Sequence, residues 1–337
     1  MKFPWLRPVL LFAGLTVASA HAGSQEWPRT PVKVVVPFDA GSTPDVAARV
    51  VGDRLAARLG QPFVVENKSG AAGNIGTDTV AKAEGDGKTI GVSIAGPLGV
   101  NALLFRTMPY DVEKDIELVS IAVSQPSVLV VGAKSSTTDA KQLAALMAQK
   151  TRLSFASIGA GSISHLAMAA LVAQTGADAV HVPYRGSGAA VTALLSGDVD
   201  MALLPAAAVM PHVKAGKLRA LAVASPERSP SLPDLPTLGE SGLPDIKGDA
   251  WIGFIAPAKT PAAVIKKLHD GIVQVLAEPE VKEKLRLQYM DPVGNSPEAF
   301  RQVLAADVKR WKPVVDKNKI TLDLSLIHIS EPTRQEA

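Results

Sequence analysis

One unit recurs along the 337 residues and constrains the fold more than anything else: an apolar β-branched run, a loop rich in Gly and Ser, then apolar residues at helical spacing. Its first copy is Val32-Lys33-Val34-Val35-Val36-Pro37-Phe38, nearly all apolar, as a buried parallel strand should be. The loop Asp39-Ala40-Gly41-Ser42-Thr43 follows, with Thr43 as the expected cap and Pro44 as the first helical residue. Val46, Ala47, Val50, Val51, Leu55 and Leu59 then mark one helix face, and Gly60 ends it.

Further copies follow. Residues 63–66 read as a strand, and Gly73-Asn74-Ile75-Gly76 opens a helix to Ala83. Residues 89–94 form the next strand, then Ala95-Gly96-Pro97 and a helix near Asn101. Residues 153–157 lead through Gly159-Ala160-Gly161-Ser162 into a helix over 163–175, and residues 180–184 through Arg185-Gly186-Ser187-Gly188 into a helix to Leu195. Residues 201–204 and 220–224 are further strands. Such alternation predicts parallel sheets with helices on both faces. Two stretches look like crossings: residues 121–131, long and apolar around Pro126, and residues 251–256, after the Pro-rich stretch 225–247. A chain that leaves a lobe and later returns makes a hinge of its two crossings. The expected fold is α/β, two Rossmann-like lobes joined by two crossing strands. Residues 23–127 and 250–323 would build one lobe and residues 128–249 the other.

The two ends bear on compartment. Lys2 and Arg7 precede an apolar run over residues 9–18, and Ala20-His21-Ala22 offers small residues at a cleavage site. That order predicts a secretory signal over residues 1–22, cut after Ala22. The run is about half the length a membrane span needs. Taking away Lys2 and Arg7 lowers the net charge from +3 to +1. No block of basic residues offers a nucleic-acid footprint. Cys is absent, which excludes disulfides, a thiolate nucleophile and a lipid anchor on Cys. Residues 324–337, LSLIHISEPTRQEA, lack helical period and read as a non-native tail.

The chemistry sits in the Gly/Ser loops at strand ends. In open α/β sheets ligands bind beyond the carboxyl ends of strands, where helix N-termini offer unpaired N–H groups and partial positive charge. Residues 39–45, 95–101 and 159–165 are three such loops, two in the first lobe and one in the second. Facing each other, they would clamp an organic anion without Lys or Arg. Other motifs fail. Gly70-Ala71-Ala72-Gly73-Asn74-Ile75-Gly76 has the wrong spacing for a dinucleotide loop, and Lys82 stands where a phosphate loop needs its leading Gly. Gly91-Val92-Ser93-Ile94-Ala95 approximates a nucleophile elbow with Ala in place of its last Gly, which leaves an exported serine hydrolase as a minor alternative. His165, His181, His212 and His269 show no metal-binding spacing, so neither metal nor cofactor is expected.

Taken together, these residues resemble the tripartite tricarboxylate transporter receptors, the Bug family. Val35-Val36-Pro37-Phe38 with Gly41, Asp45, Ala48 and Arg49 is similar to the family's opening motif. Glu66-Asn67-Lys68, Pro109-Tyr110-Asp111, Gly159-x-Gly161-Ser162-x-x-His165-Leu166 and His181-Val182-Pro183-Tyr184-Arg185-Gly186 follow. Lys214-Ala215-Gly216-Lys217-Leu218, Leu232-Pro233-Asp234-Leu235-Pro236 and Glu240-Ser241-Gly242-Leu243-Pro244 complete the pattern. The resemblance implies a type II periplasmic binding protein with its ligand cleft between the lobes. It also implies a monomer that presents a small organic carboxylate to the membrane subunits of a tripartite transporter, or to a sensor kinase ectodomain. Carried onto this chain, the ligand-binding positions are Phe38, Gly41, Ser42, Asp45, Ala95 and Asn101 in the first lobe. In the second they are Gly159, Ala160, Gly161, Ser162, His165, Tyr184, Gly186 and Asp200. Asp39 departs from the family's Phe-Pro-Pro-Gly-Gly loop and sets a carboxylate where a ligand's own is expected. That predicts either a solvent-facing Asp39 or a ligand with a donor group beside its carboxylate.

Overall fold

β1 (Val32–Val36) is buried except for Lys33 and runs parallel between β2 (Phe63–Asn67) and β3 (Thr89–Ser93). Between them run α1 (Thr43–Leu59) and α2 (Asn74–Ala81), and α1 buries Ala47, Ala48, Val51 and Leu55 against the sheet. The cap of α1 is Ser42 rather than Thr43: Ser42 has extended backbone and Thr43 is already helical. Gly60 closes the helix with φ 74°, a left-handed conformation that Gly adopts at little cost. Short helices α3 (Asn101–Leu104) and α4 (Val112–Asp115) lead into β4 (Ile116–Gln125). This computed structural model describes residues 27–322 apart from Arg185, so the expected signal and tail lie outside the described residues.

A single residue, Pro126, separates β4 from β5 (Ser127–Gly132), which belongs to a different sheet. The second lobe continues through α5 (Ala140–Ala148), β6 (Leu153–Ser157), α6 (Ile163–Thr175), β7 (Ala179–Pro183) and α7 (Ser187–Ser196). It ends with β8 (Met201–Pro205), α8 (Ala206–Lys214) and β9 (Leu218–Val223). The chain returns as β10 (Ala250–Pro257), followed by α9 (Ala262–Ala277), α10 (Pro279–Arg286), β11 (Asp291–Pro292) and α11 (Pro297–Asn318). Strand order is β11-β4-β10-β3-β1-β2 in one sheet and β7-β6-β8-β5-β9 in the other.

The sheets are mixed, which corrects the expectation of purely parallel ones. β10 lies antiparallel to β3 and β4, and β5 antiparallel to β8 and β9. The reason is the crossings. β4 delivers the chain to the edge where β1–β3 end, so β5 must enter its own sheet from the edge where β6 and β8 end. β9 ends beside the start of β5, and Ala250 of β10 pairs with Gln125. Both crossings therefore join the carboxyl edges of the two sheets, and the loops on those edges face one another. Three hydrogen bonds tie the crossings together: Ala224 N–H to Ser127 O at 2.9 Å, Gly248 N–H to Ala224 O at 2.8 Å, and Ser127 Oγ to Gly248 O at 2.7 Å.

One apolar cluster spans both lobes. Leu98 and Leu104 from the first and Leu129, Leu166 and Met168 from the second pack with Trp311 and Val315 of α11. Each such side chain contributes about 1.5–3 kcal/mol of burial. The tightest fit is at Gly253 in β10, where a methyl group would stand 2.2 Å from Cζ of Phe300. Phe300 is fully buried and edge-on to Trp251, so its ring has nowhere to go. Gly253→Ala should therefore cost roughly 2–3 kcal/mol in urea denaturation, and Phe300→Leu in that background should recover part of it. Additive losses in the double variant would contradict this account.

Candidate functional site

The first-lobe loop is built around a buried charge. Asp45 is 3% exposed, and its carboxylate accepts from Gly41 N–H at 2.9 Å, Asn67 Nδ2 at 2.9 Å and the Arg49 guanidinium. Burial opposes the Asp45 charge, but Arg49, Gly41 and Asn67 outweigh it and hold its pKa below the ordinary value. Asn67 also donates to Phe38 O, so the end of β2 braces the loop after β1. Asp45 thus shapes the loop and has its oxygens engaged within the protein. Asp39 is exposed, and among the described residues no cation pairs with it. The Ser42 hydroxyl caps nothing and is buried without a partner among the described residues.

Two neighbouring loops complete the first-lobe edge. Phe38 and Pro97 both crowd Gly73, where a Cβ would come within 2.9 and 2.7 Å of their rings. Ala95 is buried, and Asn101, also buried, donates to Asn74 Oδ1 at 2.6 Å and to Ala72 O at 3.2 Å. Tyr110 OH donates to Pro97 O at 2.7 Å, and burial pushes its pKa upward. Ala71 and Ala72 are both left-handed, at φ 46° and 53°, a conformation costing about 1–2 kcal/mol per residue, so their neighbours must hold them. Asn67, Asn74 and Tyr110 position the edge but were not among the expected site residues. Asn67 and Tyr110 lie in the motifs quoted above and Asn74 in the rejected dinucleotide loop, without any pattern that marks a brace.

The second-lobe loop repeats the design with different chemistry. Gly161 N–H donates to His165 Nδ1 at 3.0 Å, as Gly41 does to Asp45. The bond fixes the neutral His165 tautomer with its proton on Nε2. Ser162 is a working cap, accepting from His165 N–H and donating to Gly159 O at 2.7 Å. The His165 and His181 rings stack with centroids 3.7 Å apart, and His181 Nε2 lies 2.7 Å from Ser157 Oγ. Burial, with His181 adding to it, lowers the His165 pKa to about 4, and burial lowers that of His181 to about 4.

The lobes meet beside this loop. A Cβ on Gly161, at φ 76°, would stand 2.5 Å from Leu104 Cδ1, one turn past Asn101. Ala160 and Gly186 are exposed at the same edge, and Tyr184 N–H bonds Ser157 O. So the structure gathers Phe38, Asp39, Gly41, Ser42, Asp45, Ala95 and Asn101 on one edge. Gly159, Ala160, Gly161, Ser162, His165, Tyr184 and Gly186 gather on the other. Asp200 is the exception: it precedes β8, bonds Ser154 N–H and Oγ at the start of β6, and so sits at the far end of the sheet. Ser93 is fully buried in β3 and bonded to Thr77, not on the exposed turn a nucleophile elbow requires.

The two imidazoles make a pH prediction. The unfolded chain takes up protons near pH 6.5 that the folded pair refuses until about pH 4. The imidazoles' contribution to stability is therefore full above pH 6.5 and falls as pH drops toward 4, by of order 3 kcal/mol for each ring. In paired melting curves, which cancel every titration common to both proteins, the parent should lose about 3 kcal/mol more between pH 7 and 4 than His181→Phe, which keeps the stack.

The profile of the tripartite tricarboxylate transporter family receptors matches residues 47–320. BugT of Bordetella pertussis is 36% identical over 307 residues, covering 90% of this chain and 94% of its own. Among solved structures, Rpa4515 of R. palustris with adipate superposes with a TM-score of 0.81 at 33% identity, covering 89% of this chain and all of that one. MatC from Rhodopseudomonas palustris with bound malate does so at 0.75 and 32%, covering 86% and 100%. The chain belongs to the tripartite tricarboxylate transporter receptor family, as its motifs had implied.

Proposed function

We propose that this receptor closes its two loop edges around a small organic carboxylate and presents it to the membrane subunits of a tripartite transporter, after export through the signal at residues 1–22. The observation that carries the reading is the paired construction of the loops after β1 and β6. In each, the Gly N–H turns back onto the fourth residue along the chain, and part of the first turn of a long helix keeps N–H groups for a ligand: Thr43 and Asp45 in α1, where Pro44 has none, and Ile163 and Ser164 in α6, where Ser162 takes that of His165. Arg49, the cation beside the first-lobe loop, is taken by Asp45, so on this edge recognition rests on N–H groups, hydroxyls and water rather than an ion pair. Adipate and malate in two relatives support the ligand class. The family is one of receptors, and the buried Ser93 gives a hydrolase reading no support.

The ligand's orientation follows from the charges. α6 carries no acidic residue in its first turn, so its N-terminal field stands unopposed and takes the carboxylate. The first-lobe edge offers the Asp39 carboxylate and the unpartnered Ser42 hydroxyl, which suit a ligand hydroxyl or ammonium. A hydroxy or amino acid is therefore the preferred cargo. In calorimetry on residues 23–323, a 2-hydroxy or 2-amino diacid should bind tighter than the unsubstituted diacid, and Asp39→Ala should erase the difference. Tight binding of the plain diacid, untouched by Asp39→Ala, would sink this assignment. Gly161→Ala, which drives a methyl group into Leu104, should weaken any ligand about tenfold or more.

A further inference from the structure

The second crossing carries a group that ligand binding does not use. Asp249 stands between Gly248, which is bonded to both crossings, and Ala250, which opens β10 opposite Gln125. Its side chain lines a cavity of about 340 Å³ walled by Ser124 and Pro126 of the first crossing, Ser229 and Lys247 of the second, and Asp291 of β11. The Asp249 Oδ1 atom is buried and has no partner among the described residues. Nearby, the Asp291 carboxylate accepts from Ser229 Oγ at 2.8 Å and from Ser231 Oγ, joining the first-lobe sheet to the segment that follows β9.

We infer that Asp249 is a proton-sensitive element of the hinge: its ionisation disfavours the lobe arrangement seen here, and its protonation supports it. An ionised Asp249 would hold an unpaired oxygen out of water beside a second carboxylate, an arrangement that costs several kcal/mol unless something moves. The charged groups acting on it are Lys247 on its own segment, Asp291 on β11, and Asp307 and Arg310 on α11; Glu227 and Arg228 of the segment after β9 also line the cavity, Arg228 being paired with Glu240. Asp307 and Arg310 pair with each other, and Asp307 also accepts from Trp251 Nε1, which leaves them little to offer Asp249. Burial first, opposed by Lys247 and reinforced by Asp291 and Asp307, raises its pKa to about 7. The sign follows. If opening the hinge wets the carboxyl and returns it toward an ordinary value, opening releases a proton. Opening then grows more favourable as pH rises toward 7 and levels off above it.

The test needs no ligand, so it stands whether or not the proposed cargo is right. The chain has no Cys, so Ile75→Cys and Gly188→Cys, exposed positions on the two lobes, can carry a spin-label pair. Distance distributions should shift toward wider separation between pH 5.5 and 7, the wide population growing at least threefold, and change little from 7 to 8. Asp249→Asn should give one distribution at every pH, with cooperative melting as the control for folding. Asp291→Asn, which removes the like charge, should move the transition to lower pH. No shift in the labelled parent, or the same shift in Asp249→Asn, would overturn the inference.

Discussion

Everything at the site depends on how little chain separates the two sheets. Pro126 alone stands between β4 and β5, and Pro lacks the N–H that would continue a ladder. The strand run must break there, and the two carboxyl edges are left opposed. Hydrogen bonds among Ser127, Ala224 and Gly248 then couple the two crossings into one short connection, the arrangement a hinge requires. The apolar cluster with Leu104, Leu166 and Trp311 sets the resting contact between them. Two opposed loop edges, the cleft that the proposed function uses, thus follow from topology before any side chain is chosen for a ligand.

Within that frame the first lobe is kept rigid by polar groups that face the protein. Asn74 Oδ1 accepts from Asn101, and Tyr110 holds Pro97 O, so the loops after β2 and β3 are tied to each other. Asn67 joins Phe38 to Asp45 and ties in the loop after β1. Such bracing reduces the ordering that binding would otherwise require. It also accounts for consecutive left-handed alanines in a turn that would relax if its neighbours did not hold it.

Much of this was legible in the sequence. The strand over residues 153–157 and the helix over 163–175 appear where apolar period and flanking Gly placed them, because local spacing reports local structure. The two crossings were visible as long apolar runs outside the strand–helix rhythm. Strand direction was not, because it is set by which edge the chain re-enters, a non-local fact. Asp45 and Asn101 lie on the loop edge the motifs indicated, but their side chains bond within the protein, since a motif gives position and not the direction of a hydrogen bond. Asp200 differs for a related reason: it follows the second-lobe motifs in sequence but precedes its strand, at the opposite end of the sheet from the loops after β6 and β7.

The two loops share a backbone plan and differ in the residue that accepts the glycine N–H, and that difference gives the cleft its polarity. Asp45 brings a negative charge to the first turn of α1 and shares it among Gly41, Asn67 and Arg49, so that helix end is already answered. His165 brings a neutral ring, kept so by burial and by the stacked His181, and leaves the α6 end unanswered. Only one of two opposed helix termini can then draw an anion strongly. On the proposed reading, a ligand bearing a carboxylate at one end and a donor at the other would meet its complement at both edges only with the cleft shut, and recognition would then be linked to closure.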